Sequence, residues 1–280
     1  MNILSIQSQV VAGHVGNAAA VFPLQRLGHE VWPVATAALS NHPAHGQATG
    51  KSVPAADVAD LVAGLDRRGL LAGCDAVLSG YVGAVATVPV IVDAVARVRA
   101  QSPDALYFCD PVMGHETGLF VTPDVAAAIQ DTLVPVADVV FPNSFEIEVL
   151  TGGPATTMDQ ALDACSRIRA KGPGAVVYTS LKRIEGAQHR METLGVGESG
   201  AWVVETPRLA GPLYGAGDLF AALFTGHYLR ARNLADALSR AVSSAFGILD
   251  ATGSALDLAL IGAQDEIAAP TNRFEARRIA

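Results

Sequence analysis

The stretch "PLYGAGDLFAALFTGHYL", residues 212–229, combines two glycines around an alanine, one acidic residue and an apolar run of helical period. Gly215 and Gly217 allow backbone angles closed to other residues and leave the main chain bare. Successive N–H groups at the start of a helix can then converge on an oxyanion such as a phosphate. The pattern predicts a helix over 216–231 with an anion site at its first turn.

Asp218 is the acidic residue in this stretch, and its position allows two roles. Beside a bound phosphoryl group, its carboxylate can accept a proton from an attacking hydroxyl. Aspartate is also a favoured cap of helix N-termini, and glycine is a common neighbour of such caps. Spacing alone leaves both interpretations open.

Short β-branched segments alternate with amphipathic, alanine-rich segments along the rest of the chain. This alternation predicts βαβ units and an α/β fold with a mainly parallel central sheet, flanked by helices on both faces. The late pair within 191–206 has no helix between its strands and predicts a hairpin. The predicted strands cover 2–11, 30–36, 75–81, 106–112, 138–143 and 175–180, and the predicted helices cover 15–27, 86–101, 157–171, 216–231 and 233–251. A last helix is predicted over 256–270, followed by a surface tail over 271–280.

The composition limits the class of protein. Half of the 280 residues are apolar, and no repeat, low-complexity tract or linker divides the chain, so we expect a single domain over 1–280. The net charge is −8 and the 19 basic residues are scattered singly, which argues against nucleic acid and anionic membranes as partners. No apolar run reaches the roughly 18 residues of a membrane span. Three widely spaced cysteines fit neither disulfides nor a zinc site, so we expect a cytoplasmic protein.

Polar residues lie at or just beyond the carboxyl ends of several of the predicted strands. Ligands of parallel α/β sheets bind beyond the carboxyl ends of the strands, so these side chains are expected to share one site. The residues in question are Ser8, Ser79, Tyr81, Asp110, Asn143, Glu146, Thr179 and Ser180.

Two of these positions have an alternative structural interpretation. In "FPNSFEIEVLTG", residues 141–152, Asn143 can cap the next helix with Glu146 completing a capping box. Glu146 could also hold Mg²⁺ near nucleotide phosphates, directly or through water, and both roles can hold together. In "CDPVMGHETG", residues 109–118, Asp110 leaves an apolar strand, which is costly unless it is paired or metal-bound. Accepting N–H bonds from a neighbouring loop is the alternative.

Other motifs are weaker. "QSQVVAGHVGNAAAV", residues 7–21, has glycines before a helix but is not GxGxxG, which argues against a dehydrogenase. "GQATGKS", residues 46–52, has three residues instead of four between its glycines and is rejected as a P-loop. His42 and His45 are interpreted as solvent-facing or ligand-lining rather than as metal ligands. "GHETGLF", residues 114–120, is predicted to be a mobile flap.

Together these segments resemble the pyridoxal kinases of the ribokinase-like superfamily. The matching pieces occur in the family's order within residues 1–250. They are "QSQVVAGHVGN", "FPLQRLGHEVWPV", "LSNH", "VLSGYVG", "CDPVMG", "PNSFEIEVLTG" and "GAGDLFAA".

The resemblance implies ATP-dependent phosphorylation of the 5′-hydroxymethyl group of pyridoxal, with pyridoxine and pyridoxamine as further candidates, by a homodimer. Asp218 would be the base, and the amides of Gly215, Ala216 and Gly217 would form the anion hole. The vitamin B6 pocket would include Ser8, His42 and Tyr81. The ATP-binding residues would be Asp110, Asn143, Glu146, Thr179 and Ser180, with Asp110 and Glu146 organising Mg²⁺ and with K⁺ or Na⁺ nearby.

Three positions depart from the family pattern. Gln9 stands where histidine is usual, Pro43 where threonine is common, and Ala216 where threonine is frequent. These departures favour a rival, another kinase of the same fold that acts on a hydroxymethylpyrimidine, a sugar or a nucleoside. A non-catalytic protein that binds vitamin B6 is a rival of a different class.

Overall fold

The structure, a computed structural model, describes residues 1–181, 183, 189–211 and 213–280, so Pro212 of the opening stretch lies outside it. The strands are β1 Asn2–Val10, β2 Glu30–Leu39, β3 Gly50–Ser52, β4 Ala76–Ser79, β5 Leu106–Cys109, β6 Gly114–His115, β7 Gly118–Leu119, β8 Val139–Val140, β9 Ala175–Leu181, β10 Arg190–Gly197, β11 Gly200–Pro207 and β12 Arg277–Arg278. The α-helices are α1 Asn17–Arg26, α2 Ala55–Arg67, α3 Val88–Gln101, α4 Pro123–Ala128, α5 Ser144–Thr151, α6 Met158–Arg169, α7 Ala216–Ala231, α8 Leu234–Thr252 and α9 Asp265–Ala268.

Within the described residues, ten strands form one sheet in the order β12-β11-β10-β9-β8-β5-β4-β1-β2-β3. The central strands β9, β8, β5, β4, β1 and β2 pair in parallel. The remaining pairings, which lie toward the two edges, are antiparallel. The predicted parallel sheet and the predicted hairpin, here β10–β11, are therefore confirmed.

Helices cover both faces of the sheet, as predicted. On one face α2 to α6 pack against strand residues such as Leu4, Val77 and Tyr107. On the other face α1, α7, α8 and α9 pack against alternate residues such as Ile3 and Phe108. This alternation of side chains is what a strand buried on both faces requires.

Strands β5 and β8 end earlier than the sequence predicts. Pro111 and Pro142 lie close to their ends and cannot donate a ladder hydrogen bond. Asp110 and Asn143 therefore leave the sheet at its carboxyl edge, where ligands of such folds bind.

The predicted helix over 256–270 is wrong, because only Asp265–Ala268 is α-helical there. Leu258 and Leu260 are both buried, a spacing of two that does not fit one face of a helix. The predicted surface tail is also partly wrong, because Arg277–Arg278 adds an edge strand beside β11. Helix α2 was not predicted.

Cys74, Cys109 and Cys165 are buried free thiols. Their wide spacing in the sequence argued against disulfides. No helix within the described ranges combines the length and the apolar character that crossing a membrane requires.

Candidate active site

The turn before α7 is held by a close approach between two loops. Gly215 caps the helix with a left-handed φ of 81°. A Cβ on Gly215 would stand 2.0 Å from the carbonyl oxygen of His14, so a larger residue would clash with the β1–α1 loop. The glycine is therefore required by both its conformation and its neighbour.

The amides of this turn are not equivalent. The Ala216 N–H donates to the Leu213 carbonyl at 3.1 Å. The N–H groups of Gly215 and Gly217 have no hydrogen-bond partner among the described residues. The Ala216 N–H is therefore engaged within the turn in this conformation, and its part in an anion hole stays a prediction. Among the described residues, the N–H groups of Gly215 and Gly217 are left for an anion.

Asp218 is the third residue of α7, and its side chain does not cap the helix. The N–H groups of Gly16 and of Asp218 itself lie within hydrogen-bonding reach of the carboxylate. The capping interpretation is therefore wrong. Burial nevertheless raises the pKa of Asp218 to about 6, which suits a group that accepts a proton near neutral pH.

Asp110 lies beside this turn and is buried. Its Oδ2 atom is 3.8 Å from the point where a Cβ on Gly217 would stand. Burial, and then the nearby charges of Glu146 and Asp218, raise the pKa of Asp110 well above its usual value. No hydrogen bond reaches this carboxylate from the described residues, so the alternative of N–H donors from a loop is not supported.

Glu146 is also buried, but its carboxylate has partners. Oε1 accepts the Met113 N–H and Oε2 accepts the Asn143 N–H, each at 2.9 Å. Burial raises the pKa of Glu146 to about 7, while these bonds and the nearby Gly114 N–H oppose the increase. Glu146 therefore holds the main chain around the site, and any contact with a metal is better made through water.

The residues present fit a magnesium ion shared with phosphates rather than a site made by protein alone. The described part of the chain has no group of three or more His, Cys, Asp or Glu residues placed to hold a metal ion. Mg²⁺ is usually bound by one or two carboxylates together with phosphates and water. The carboxylate of Asp110, buried without a partner, is suited to this role because a cation would offset its repulsion from Glu146 and Asp218.

We expect the unfolding free energy of the metal-free, nucleotide-free protein to decrease as the pH rises through the raised pKa values. Glu146 and Asp218 titrate at about 7 and about 6 in the folded protein, but near 4 when unfolded. The folded state therefore binds more protons than the unfolded state between pH 4 and 7. Urea denaturation at about pH 5 and pH 7.5 should show a loss on the order of 1–3 kcal/mol. The Asp110→Asn variant lacks one of the three interacting charges, so its unfolding free energy should decrease less between these two pH values. An equal decrease in the wild type and in the variant would contradict this account.

Asn143 joins the start of α5 to the β6–β7 hairpin. Its Oδ1 accepts the Glu146 N–H at 2.9 Å, completing the predicted capping box. Its Nδ2 donates to the Gly114 carbonyl at 3.0 Å. The hairpin spans most of the predicted flap over 114–120, whose mobility stays a prediction.

Asn143→Ala is expected to lower both stability and turnover. Removing a cap costs about 1 kcal/mol, and freeing Gly114 would misplace the hairpin beside the site. Thr157→Ala is the matched control, since Thr157 forms the capping box of α6 with Gln160. The control should lose similar stability in urea denaturation but keep its kcat, and equal kcat for both variants would contradict the role of Asn143.

Thr179 and Ser180 end β9 beside the start of α5. The Thr179 N–H donates to the Pro142 carbonyl at 2.9 Å, and the Ser144 hydroxyl donates to the Ser180 carbonyl at 2.7 Å. Ser180 has a φ of 51°, a left-handed conformation that costs a serine about 1–2 kcal/mol. Strain maintained in this way is common at binding sites.

The predicted substrate residues belong to the strands β4, β1 and β2 and their loops, on the other side of β5 from β8 and β9. Ser8 is buried, and its hydroxyl oxygen is 2.5 Å from the point where a Cβ on Gly16 would stand. Because the Gly16 N–H faces Asp218, Ser8 lies close to the candidate base. The Tyr81 carbonyl accepts the Thr36 hydroxyl at 2.6 Å, which fixes this residue after β4.

His42 precedes a short 3₁₀ turn, Pro43–His45, and its ring stacks on Tyr214 with the centroids 4.8 Å apart. Tyr214 directly precedes the turn at 215–217, and the sequence interpretation did not single it out. The signal was an aromatic residue next to Gly215. The rejection of the P-loop fits the structure, because 46–52 ends in the exposed edge strand β3 rather than in a helix.

Comparison with known proteins identifies the family of this chain. The family model described as phosphomethylpyrimidine kinase matches residues 71–251. A relative from Corynebacterium diphtheriae, named pyridoxal kinase PdxY, is 48% identical over 100% of both chains. The chain belongs to the pyridoxal kinase family.

Two further members support this assignment. Pyridoxal kinase PdxY of Rubrobacter xylanophilus is 48% identical to this chain. The match covers 100% of this chain and 98% of that protein. The pyridoxal kinase of Leishmania donovani, solved in complex with ADP and pyridoxamine, superposes with a TM-score of 0.93 at 26% identity, covering 100% of this chain and 99% of that one. The ribokinase-like fold implied by the resemblance is thus confirmed.

Proposed function

We propose that the protein is a pyridoxal kinase that transfers the γ-phosphoryl group of ATP to the 5′-hydroxymethyl group of pyridoxal. The observation that carries the proposal is the meeting of three features at the start of α7. The first is the pair of N–H groups of Gly215 and Gly217, which have no partner among the described residues. The second is the Asp218 carboxylate with its raised pKa, and the third is the Asp110 carboxylate, which accepts no hydrogen bond from the described residues. The proposal takes residues 1–280 as one kinase domain.

In the proposed reaction, the hydroxyl oxygen of the vitamer bonds to the γ-phosphorus while the bond between that phosphorus and the bridging oxygen of ADP breaks. Asp218 accepts the hydroxyl proton as the new bond forms. The N–H groups of Gly215 and Gly217 donate to phosphoryl oxygens and offset the charge that develops there. Such a transfer needs positioning and charge stabilisation more than covalent help.

The order of the strands favours separate places for the two substrates. Asp110 follows β5, in the middle of the parallel strands. Asn143 follows β8, and Thr179 and Ser180 lie near the end of β9, on one side of it. We assign this side to the nucleotide. On the other side, Ser8 lies near the end of β1, while Tyr81 and His42 follow β4 and β2, and we assign that side to the vitamer.

Asp110 would hold Mg²⁺, and Glu146 would contact it through water while keeping residues 113 and 114 in place. The ion would supply charge neutralisation at the phosphates. The family resemblance adds a monovalent cation, K⁺ or Na⁺, and a homodimer to the proposal. The scattered basic residues and the cysteines add a cytoplasmic protein that binds neither nucleic acid nor membrane. Light scattering coupled to size exclusion tests the dimer.

The test is an assay of pyridoxal, pyridoxine, pyridoxamine and a hydroxymethylpyrimidine with Mg-ATP, in which ADP and the phosphorylated product are both quantified. The description of the matching family model favours the pyrimidine as the rival substrate. We expect kcat/KM for pyridoxal to exceed that for the pyrimidine at least about tenfold. ADP release that does not depend on a vitamer, or a preference for the pyrimidine, would overturn the proposal.

A further inference from the structure

Three rings meet directly before the phosphate-binding turn. Tyr214 stacks on His42 at 4.8 Å and contacts His45 at 5.3 Å between centroids, and the two imidazoles are 5.5 Å apart. We call these three residues the ring cluster. It joins the β2–β3 loop, on the vitamer side, to the residue that precedes Gly215.

The 3₁₀ turn Pro43–His45 builds the cluster. Pro43 occupies the first position of the turn, where its fixed φ is favourable. The His42 Nδ1 atom accepts the Ala44 N–H at 3.3 Å, which orients this ring. The turn places both imidazoles, His42 and His45, against Tyr214.

His45 is held from its other side as well. Its Nδ1 atom is 3.4 Å from Oδ1 of Asp257. A Cβ on Gly13 would stand 2.3 Å from that same oxygen, so the β1–α1 loop lies against it. The Nε2 atom of His45 is buried and has no hydrogen-bond partner among the described residues.

The β1–α1 loop connects the same elements by its main chain. The N–H groups of Val11 and Ala12 donate to the carbonyls of Leu39 and Ser40, each at 2.9 Å. The loop then touches Gly215 through His14. The vitamer side and the phosphate-binding turn therefore meet at two points, His14 and the ring cluster.

We propose that Tyr214 is a positioning residue for phosphoryl transfer. By stacking on His42 and making a tilted contact with His45, its ring fixes Gly215, and through it the Gly217 N–H and Asp218, relative to the vitamer. Tyr214 acts through these neighbours and does not touch the reacting atoms. This inference rests on the proposed function. A misplacement of about 1 Å at a reacting centre can reduce the rate on the order of 10²-fold, so the effect should be large.

Tyr214→Leu tests this role with pyridoxal and Mg-ATP as the substrates. The expected result is a kcat about 10–100-fold lower, with KM for Mg-ATP changed less than about threefold. Tyr214→Phe keeps the ring and should retain kcat within about threefold. His45→Leu removes one contact of the ring and should lower kcat about 3–10-fold, and the double variant with Tyr214→Leu should be no worse than Tyr214→Leu alone.

Tyr228→Leu is the matched control, because it removes a tyrosine ring stacked on Phe224 in the same helix, far from the turn. It should lose stability but keep kcat. A kcat near the wild-type value in both Tyr214→Leu and His45→Leu would overturn the positioning role. If Tyr214→Leu does not fold, a wild-type kcat in His45→Leu overturns the role. A kcat about 3–10-fold lower in His45→Leu, with the kcat of Tyr214→Phe within about threefold of wild type, supports it. A wild-type protein inactive on every vitamer would refute the proposed function itself, which separates the two failures.

Discussion

Asp218→Asn is expected to lower kcat for pyridoxal phosphorylation about 10²–10⁴-fold. The asparagine has nearly the same shape but cannot accept the hydroxyl proton. It keeps the space against the Gly16 N–H and the turn at Gly215, so Mg-ADP should bind within about threefold of wild type. Steady-state kinetics and calorimetric titration with Mg-ADP measure the two quantities.

Asp236→Asn is the control for this variant. Asp236 is the third residue of α8, as Asp218 is of α7, so the same change removes the same charge from the first turn of a helix. Its carboxylate pairs with Arg240 on the surface. The control should retain kcat, and wild-type turnover in Asp218→Asn would remove this residue from the mechanism.

Asp110→Asn is expected to change function and stability in opposite directions. Without the carboxylate, the Mg²⁺ concentration that gives half-maximal activity should rise. The kcat at saturating Mg²⁺ should fall about 10²-fold or more. The metal-free protein should become more stable by about 1–3 kcal/mol, because a buried charge without a partner is removed next to Glu146 and Asp218. Magnesium titrations of activity and urea denaturation in a chelator measure the two effects.

Asp138→Asn provides the contrast, because the Asp138 carboxylate has partners. It accepts the Tyr107 N–H at 2.6 Å and pairs with Arg99 at 2.7 Å. Removing this charge should destabilise the protein and leave its dependence on Mg²⁺ unchanged. If both aspartate variants were destabilised alike in the chelator, Asp110 would have a structural role instead.

The sequence was informative where the physics is local. The alternation of apolar strands and amphipathic helices predicted the sheet, because period and burial are encoded within each segment. Gly215 predicted the turn, because few other residues adopt its left-handed backbone, whereas Gly217 lies within α7. The capping box of Asn143 and Glu146 was also predictable, because its two residues lie three positions apart in one segment.

The role of Asp218 was not decided by its own segment, because the N–H that faces its carboxylate belongs to Gly16 at the other end of the chain. The ring cluster likewise depends on two loops, between β2 and β3 and before α7, that meet only in the fold. The segment 256–270 was misjudged since its small apolar residues fit a helix as well as a turn, and burial of Leu258 and Leu260 selected the turn. In each case tertiary contacts decided between locally equivalent options.

The most direct test of the account is a crystal structure with Mg²⁺, a non-hydrolysable ATP analogue and pyridoxal bound. The account expects the terminal phosphate within hydrogen-bonding distance of the Gly215 and Gly217 N–H groups, Mg²⁺ beside Asp110, and the vitamer hydroxyl facing the carboxylate of Asp218. A nucleotide bound away from this turn, or an Asp218 side chain directed into solvent while both ligands are present, would contradict it.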